Sequence, residues 1–150
     1  MKQIAWIISP PAKGSGGFRT ICSKASFLDS RGYENYFYIM PGCEAYKSAH
    51  RVQTEIKDWF GYSPKEVLVA PSVPEDFFAV IATAWNTAHF ASMQKCTYKF
   101  YFIQDFEPWF YPMGEMYLNA EASYRYELNP ITIGRWLSKK VEPYYSHEVP

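Results

Sequence analysis

Three short stretches carry residue types that could do chemistry. Gly14-Ser15-Gly16-Gly17, followed by Arg19, stands between an apolar run and a helically spaced one, so it opens a helix whose first N–H groups lack partners. Such a terminus attracts anions, and glycine lets a ligand approach the backbone closely. A tight turn with a helix cap uses the same residues, and the spacing matches neither G-x-G-x-x-G nor the P-loop. Arg19 on the first helical turn is unfavourable against the helix dipole unless an anion binds nearby. Gln104-Asp105-Phe106-Glu107 sets two carboxylates and an amide directly after another apolar run. Carboxylates there can deprotonate a hydroxyl, or join phosphate oxygens in holding Mg²⁺ or Mn²⁺. Beside Pro108 they can equally be turn residues. Trp85-Asn86-Thr87 also follows an apolar run and offers a ring with two polar side chains, though Asn86 suits a helix N-cap as well. His50, His89 and His147 share no spacing that suggests a metal cluster or a triad.

The elements that must position these stretches follow from periodicity. Residues 4–8 (IAWII) form a strand ended by Ser9-Pro10-Pro11, and Phe18, Ile21, Cys22, Ala25 and Leu28 mark a helix closed by Arg31-Gly32. A strand at 36–40 ends at Pro41-Gly42. A helix over 44–60 stops at Gly61 and Pro64. Strands at 67–70 and 79–83 follow, then a helix from 84 to about 95 and a strand at 98–104. A helix from about 114 to 126 places Met116, Ala120 and Tyr124 on one face; a strand at 131–133 and a helix at 135–141 complete the pattern. Strands alternating with helices predict an α/β protein, a Rossmann-like doubly wound parallel sheet with helices on both faces. Ligands then bind outside the carboxyl ends of the strands. The sheet domain spans residues 1–141, and residues 142–150, with two prolines and no periodicity, read as an exit linker.

Composition narrows the function classes. A chain of 150 residues fits one domain with a real core. Fifteen basic residues balance fifteen acidic ones, so there is no electrostatic footprint for nucleic acid. No apolar run reaches the ~18 residues of a membrane span, and a cytoplasmic location is the default expectation. Cys22, Cys43 and Cys96 are an odd number without C-x-x-C spacing, which argues for reduced structural thiols. The aromatic share of 19%, with thirteen tyrosines, suits a wet-edged core, a partner interface or stacking on sugar rings alike.

Longer motifs narrow the reading further. Lys13-Gly-Ser-Gly-Gly17 with Arg19-Thr20, Tyr101-Phe-Ile-Gln-Asp-Phe-Glu-Pro108, Phe110-Tyr-Pro-Met113 and Tyr117-Leu-Asn-Ala-Glu121 together resemble the N-terminal domain of family 4 glycosyltransferases of GT-B architecture. Rhamnan-synthesis rhamnosyltransferases of the WsaF type are the nearest likeness, and Ile131-Thr-Ile-Gly-Arg-Trp-Leu137 is similar to the strand and helix that end that domain. The resemblance covers about the whole chain. It implies a two-domain enzyme in which this half shapes the acceptor site and a C-terminal domain, beyond residue 150, holds the nucleotide sugar; alone, this half is expected to be inactive. Carried over by position, Gly16, Gly17 and Arg19 serve the donor diphosphate, and Gln104 falls where many relatives have histidine close to the transferred sugar. Trp85, Asn86, Thr87 and Tyr111 line the acceptor side. Phe18 stands where close relatives carry histidine after the paired glycines, so no polar contact is expected from it.

The expectation is a metal-independent transferase that moves a sugar, with rhamnose from a dTDP donor as one candidate, onto a glycan during polysaccharide biosynthesis. Asp105 is the first choice of base if the reaction inverts, and Glu107 the second. Its partners are a nucleotide-sugar donor, a carbohydrate acceptor and the donor-binding domain. Peripheral contact with the inner face of a membrane is compatible with this reading. Two rivals come from other readings of the same residues: a non-catalytic module that binds a glycan or a protein, and a GT-A type transferase holding Mn²⁺ on Asp105 and Glu107. An oxidoreductase fits worse, because Met40-Pro41-Gly42 replaces the acidic ribose contact expected after the second strand.

Overall fold

A central strand buried on both faces must be apolar at nearly every position, not at alternate ones. Strand β1 (Lys2–Ile8) meets that requirement, with Ile4 through Ile8 all buried. In the computed structural model, which describes residues 1–40 and 48–145, β1 lies in the middle of a six-stranded sheet. Its other strands are β2 (Tyr33–Ile39), β3 (Glu66–Val69), β4 (Ala79–Ala82), β5 (Tyr98–Ile103) and β6 (Asn129–Thr132). Every pairing is parallel and the order is β3-β2-β1-β4-β5-β6.

Helices cover both faces. On one, α1 (Gly16–Asp29) and α2 (Ala49–Phe60) bury Phe18, Ile21, Cys22, Ala25, Val52 and Ile56 against Ile4, Trp6, Ile8 and Phe37. On the other, α3 (Trp85–Ser92) and α5 (Arg135–Tyr145) bury Ala88, Ala91, Leu137 and Val141 against Ala5, Ile7, Val80, Tyr101 and Ile103. The result is the doubly wound, Rossmann-like α/β architecture expected from the sequence. The strand order reverses between β1 and β4, so the switch point at which such sheets bind ligands lies above these two strands.

Several boundaries differ from the periodicity. Helix α1 ends at Asp29 with Ser30 as its cap, so Arg31 and Gly32 lie beyond it. Ser48 caps α2 by accepting from the Arg51 N–H at 3.1 Å, and Gly61 closes it in the left-handed conformation, φ +67°. The earlier start read at residue 44, the Pro41-Gly42 strand end and Cys43 fall outside the described residues. Helix α3 stops at Ser92, where the Gln94 side chain takes over by donating to the Phe90 carbonyl. The helix expected over 114–126 is α4 (Glu115–Ala122) followed by a 3-10 turn at Ser123–Arg125, and Met116 is exposed. Strand β6 starts two residues early, at Asn129, and tolerates Pro130 because it is an edge. Helix α5 runs through Pro143 to Tyr145, past the linker boundary read at residue 142. Tyr144 accounts for this: its ring packs on Tyr124 and Phe106, and its hydroxyl donates to Glu121 Oε2 at 3.0 Å. Residues 146–150 of the expected linker lie outside the described residues.

One buried polar residue ties the layers together. Asn35, fully buried in β2, accepts from Trp6 Nε1 at 2.7 Å and donates to the Ala25 carbonyl and to Asp29 Oδ1. Tyr62 donates to the other Asp29 oxygen at 2.9 Å. The network fixes α1 against β1 and β2, and hence fixes where the helix N-terminus points.

Candidate functional site

Above the switch point lies a crevice of about 680 Å³. Ser9 and Pro10 from the end of β1, the first turn of α1, Thr83 and Ala84 after β4, and Gln104, Asp105 and Glu107 after β5 line it. Phe110 and Ile133 close its outer side. Ser15 is the N-cap of α1: its hydroxyl accepts from the Phe18 N–H at 3.1 Å. Ahead of it, Gly14 takes φ +82°, a conformation that side chains disfavour, so this glycine is required to turn the chain. The amides of Gly16 and Gly17 have no acceptor among the described residues. A side chain at Gly16 would meet nothing within 4 Å. Both glycines therefore present open amides to the crevice at the positive end of α1, the arrangement that seats an anion. Gln104 spans the crevice floor, with Nε2 donating to the Gly17 carbonyl at 3.0 Å.

Glu107 is the unusual group. It opens a 3-10 turn (Glu107–Phe110) and is only 8% exposed, yet it reaches the crevice. The Trp85 N–H donates to its Oε2 at 3.1 Å and the Tyr101 hydroxyl to its Oε1 at 3.4 Å. Burial outweighs these two donors, and the charge of Asp105 adds to it, so the carboxyl titrates at about 7. The Tyr101 hydroxyl is itself pushed well above its usual range, first by burial and then by Glu107, so it stays a neutral donor. A carboxyl poised near neutrality in a crevice can accept and return a proton under ordinary conditions. Asp105 sits at the rim, exposed, with Oδ1 accepting from the Phe106 N–H at 2.8 Å. Among the described residues no three His, Cys, Asp or Glu side chains converge as a metal site needs.

The sequence-derived candidates divide into two sets. Gly16, Gly17, Gln104, Asp105 and Glu107 line one crevice. Arg19 does not reach it: its guanidinium lies over the Phe60 ring of α2, 5.7 Å from the centroid, because the cap at Ser15 turns position 19 towards that helix. Thr87 is fully buried and structural. Its hydroxyl accepts from the Thr83 and Ala84 amides and donates to the Ala84 carbonyl, which makes it the residue that starts α3. Asn86 is thus two positions past the N-cap, which is Ala84. It is exposed, accepts from the Ser9 hydroxyl at 3.2 Å, and borders a second cavity of about 720 Å³ with His89, Gln94 and the 71–75 loop. Trp85 and Tyr111 form a pair, with indole Nε1 donating to the phenol at 3.0 Å and the rings edge to face.

Sequence reasoning missed Ser9, Thr83 and Tyr101 as parts of the site. Thr83 donates to the Ile7 carbonyl at 2.6 Å and so joins the two strands that flank the switch point. For Ser9 and Thr83 the signal available was position alone, each being the first polar residue after a buried run, whereas Tyr101 lies inside the β5 run and carried no such signal. The thiols of Cys22 and Cys96 are buried and their pKa values raised, Cys22 to about 12, so neither is a nucleophile. No family model matches the chain, and no curated protein is significantly similar to it.

Proposed function

We propose that this chain is the acceptor-side half of a GT-B type glycosyltransferase that moves a sugar from a nucleotide-sugar donor to a carbohydrate hydroxyl. The observation that carries the proposal is the near-neutral Glu107 carboxyl, which shares a switch-point crevice with the open amides of Gly16 and Gly17. Glycosyl transfer to a hydroxyl needs these two functions side by side: a base for the acceptor proton and positive charge for the departing diphosphate. Of the two carboxylates, the surroundings favour Glu107 as the base, with Asp105 at the rim orienting the acceptor and Gln104 positioning the sugar. Trp85, whose backbone N–H holds Glu107, pairs with Tyr111 outside the residues that line the crevice, and in this reading the pair meets a more distal part of the acceptor. A nucleotide-sugar donor goes with a cytoplasmic location, and the donor-binding half is supplied by a second domain.

Calorimetric titration of the chain with short glycans, dTDP and dTDP-rhamnose, with and without Mn²⁺, tests this reading. Glycan binding that Glu107→Gln or Trp85→Ala weakens, with only weak and metal-independent nucleotide binding, supports it. Tight, Mn²⁺-dependent nucleotide binding overturns it in favour of metal ligation by Asp105 and Glu107. Glycan binding indifferent to both substitutions also overturns it, because the crevice would then not be the acceptor site.

A further inference from the structure

The sheet is covered unevenly. Helix α1 packs on β2 and α2 on β3, whereas the helices that pack on β4, β5 and β6 are α3 and α5, both on the opposite face. The first face of β4–β6 is therefore bare beside α1, and a groove of about 480 Å³ lies there between the helix and the edge strand. Its floor is Trp6, Ile81 and Phe102, all buried, with the rings of Trp6 and Phe102 edge to face at 6.3 Å. The indole N–H is committed to Asn35 at 2.7 Å, so Trp6 offers the groove no polar atom. Phe27 on one side and Ile131 and Ile133 on the other form its walls, and they are 54%, 43% and 45% exposed. No helix among the described residues is long and apolar enough to cross a membrane, so these side chains are not the flank of a spanning segment. Cations border the groove. Lys24 lines it, and the Arg31 guanidinium lies over the Phe27 ring, 4.9 Å from the centroid. Among the described residues neither cation forms an ion pair, and no carboxylate lines the groove.

We propose that this groove binds a compact aromatic anion, a fused bicyclic ring bearing one carboxylate or sulfonate, with the ring against Trp6, Phe27 and Phe102 and the anionic group at Lys24. Its dimensions select a ring over a chain. Lys24 to Leu28 is about 6 Å of helix. Ile131 to Ile133 is about 7 Å of strand, and the width from β4 to β6 is about 10 Å. Two fused rings match both dimensions, whereas an extended acyl chain overruns the short one. Three aromatic side chains supply edge and face contacts to such a ring. Charge selects the anion, because the cation that lines an otherwise apolar groove has no acidic neighbour there to meet it. The proposal does not rest on the glycosyl-transfer reading. Ile133 lines this groove and the crevice alike, so a bound probe has to be located as well as detected.

NMR titration of the nitrogen-15-labelled chain with 2-naphthoate, following the Trp6 indole N–H and the amides of Lys24, Gly16 and Gly17, is the test. The expected result is a saturable shift at Trp6 and Lys24 that leaves Gly16 and Gly17 unmoved. Lys24→Gln should weaken 2-naphthoate about fivefold, the upper reach of an exposed ion pair, and leave binding of the neutral 2-naphthalenemethanol unchanged. Phe27→Ser/Ile131→Ser should abolish binding of both probes. All three side chains are solvent-facing, and unchanged thermal melts establish that the variants fold. Absence of a shift at Trp6 up to millimolar 2-naphthoate overturns the proposal, as do shifts at Gly16 and Gly17 in its place, binding indifferent to either variant, or tighter binding of decanoate. A dimer that Phe27→Ser/Ile131→Ser disperses, with no naphthoate binding, assigns the bare face to a second copy of the chain instead.

Discussion

The backbone N–H of Trp85, in the first turn of α3, donates to Glu107 Oε2 at 3.1 Å, so the chain leaving β4 holds the carboxyl that follows β5. One amide and one phenol do not offset the loss of water, and the folded state favours the protonated acid at about 7 over its ordinary 4.5. A carboxyl whose pKa is raised by folding takes up a proton on folding between those values. Its effect on stability is therefore absent below about pH 4.5 and grows into a penalty as pH rises towards 7 and beyond, reaching about 3 kcal/mol. Glu107→Gln should remove most of that penalty, making the variant more stable than the parent at pH 8 but not at pH 4. Urea unfolding at the two pH values measures this. Equal differences at both would place the titration elsewhere.

Gly16 has open space where a side chain would project, and its helical position gains from alanine by up to ~1 kcal/mol. Gly16→Ala should therefore melt at or above the parent temperature. If the glycine serves a ligand, the same methyl group stands between the anion and the two open amides. In the parent, pyrophosphate should shift the amide resonances of Gly16 and Gly17 in an NMR titration, and in Gly16→Ala the shift should be lost. A preserved shift would show that the glycine is only a permissive helix start.

Asn35 makes a different kind of claim, about what aims the helix. Asn35→Leu keeps the volume but leaves Trp6 Nε1 without an acceptor in a dry layer and takes a donor from the Ala25 carbonyl and from Asp29 Oδ1. The expected cost is about 2–4 kcal/mol in urea unfolding, since unpaired buried polar groups are among the larger single-site penalties. Trp6→Phe/Asn35→Leu removes one orphaned donor and should recover part of the loss. Additive losses would mean that the Trp6–Asn35 bond contributes little.

The strands were legible because buried parallel strands are written as unbroken apolar runs, as Ile4–Ile8 shows. The crevice was legible for a related reason: in a doubly wound sheet the first polar residues after each run share one edge, which is how Gly16, Gln104 and Glu107 come together. Side-chain direction around a helix was not. Arg19 turns to Phe60 and Thr87 turns inward because of where Ser15 and Ala84 start their helices, and a one-residue change in start rotates a side chain by about 100°. Pro143 hid the end of α5 for a comparable reason, since the packing of Tyr144 on Tyr124 and Phe106 outweighs a local helix breaker and leaves no local pattern. The ionisation of Glu107 depends chiefly on tertiary burial, so a bare D-x-E could not rank its two carboxylates.

Thr87 joins stability to the site. Its hydroxyl accepts from the amides of Thr83 and Ala84, at 3.0 and 3.1 Å, in a fully buried position, and so fixes the turn that presents the Trp85 N–H to Glu107. Thr87→Val retains the shape and deletes the acceptor. One buried amide and one half-buried amide then lack a partner, and the expected loss is about 2 kcal/mol. If the turn loosens, Glu107 also loses one of the two donors that favour its charged form, and its pKa should rise above about 7. Carbon-13 NMR titration of the Glu107 carboxyl, alongside thermal unfolding, separates the two effects. A destabilised variant with an unmoved titration would make Thr87 a helix cap alone, whereas a joint change would make it the residue that positions Trp85 for the carboxylate.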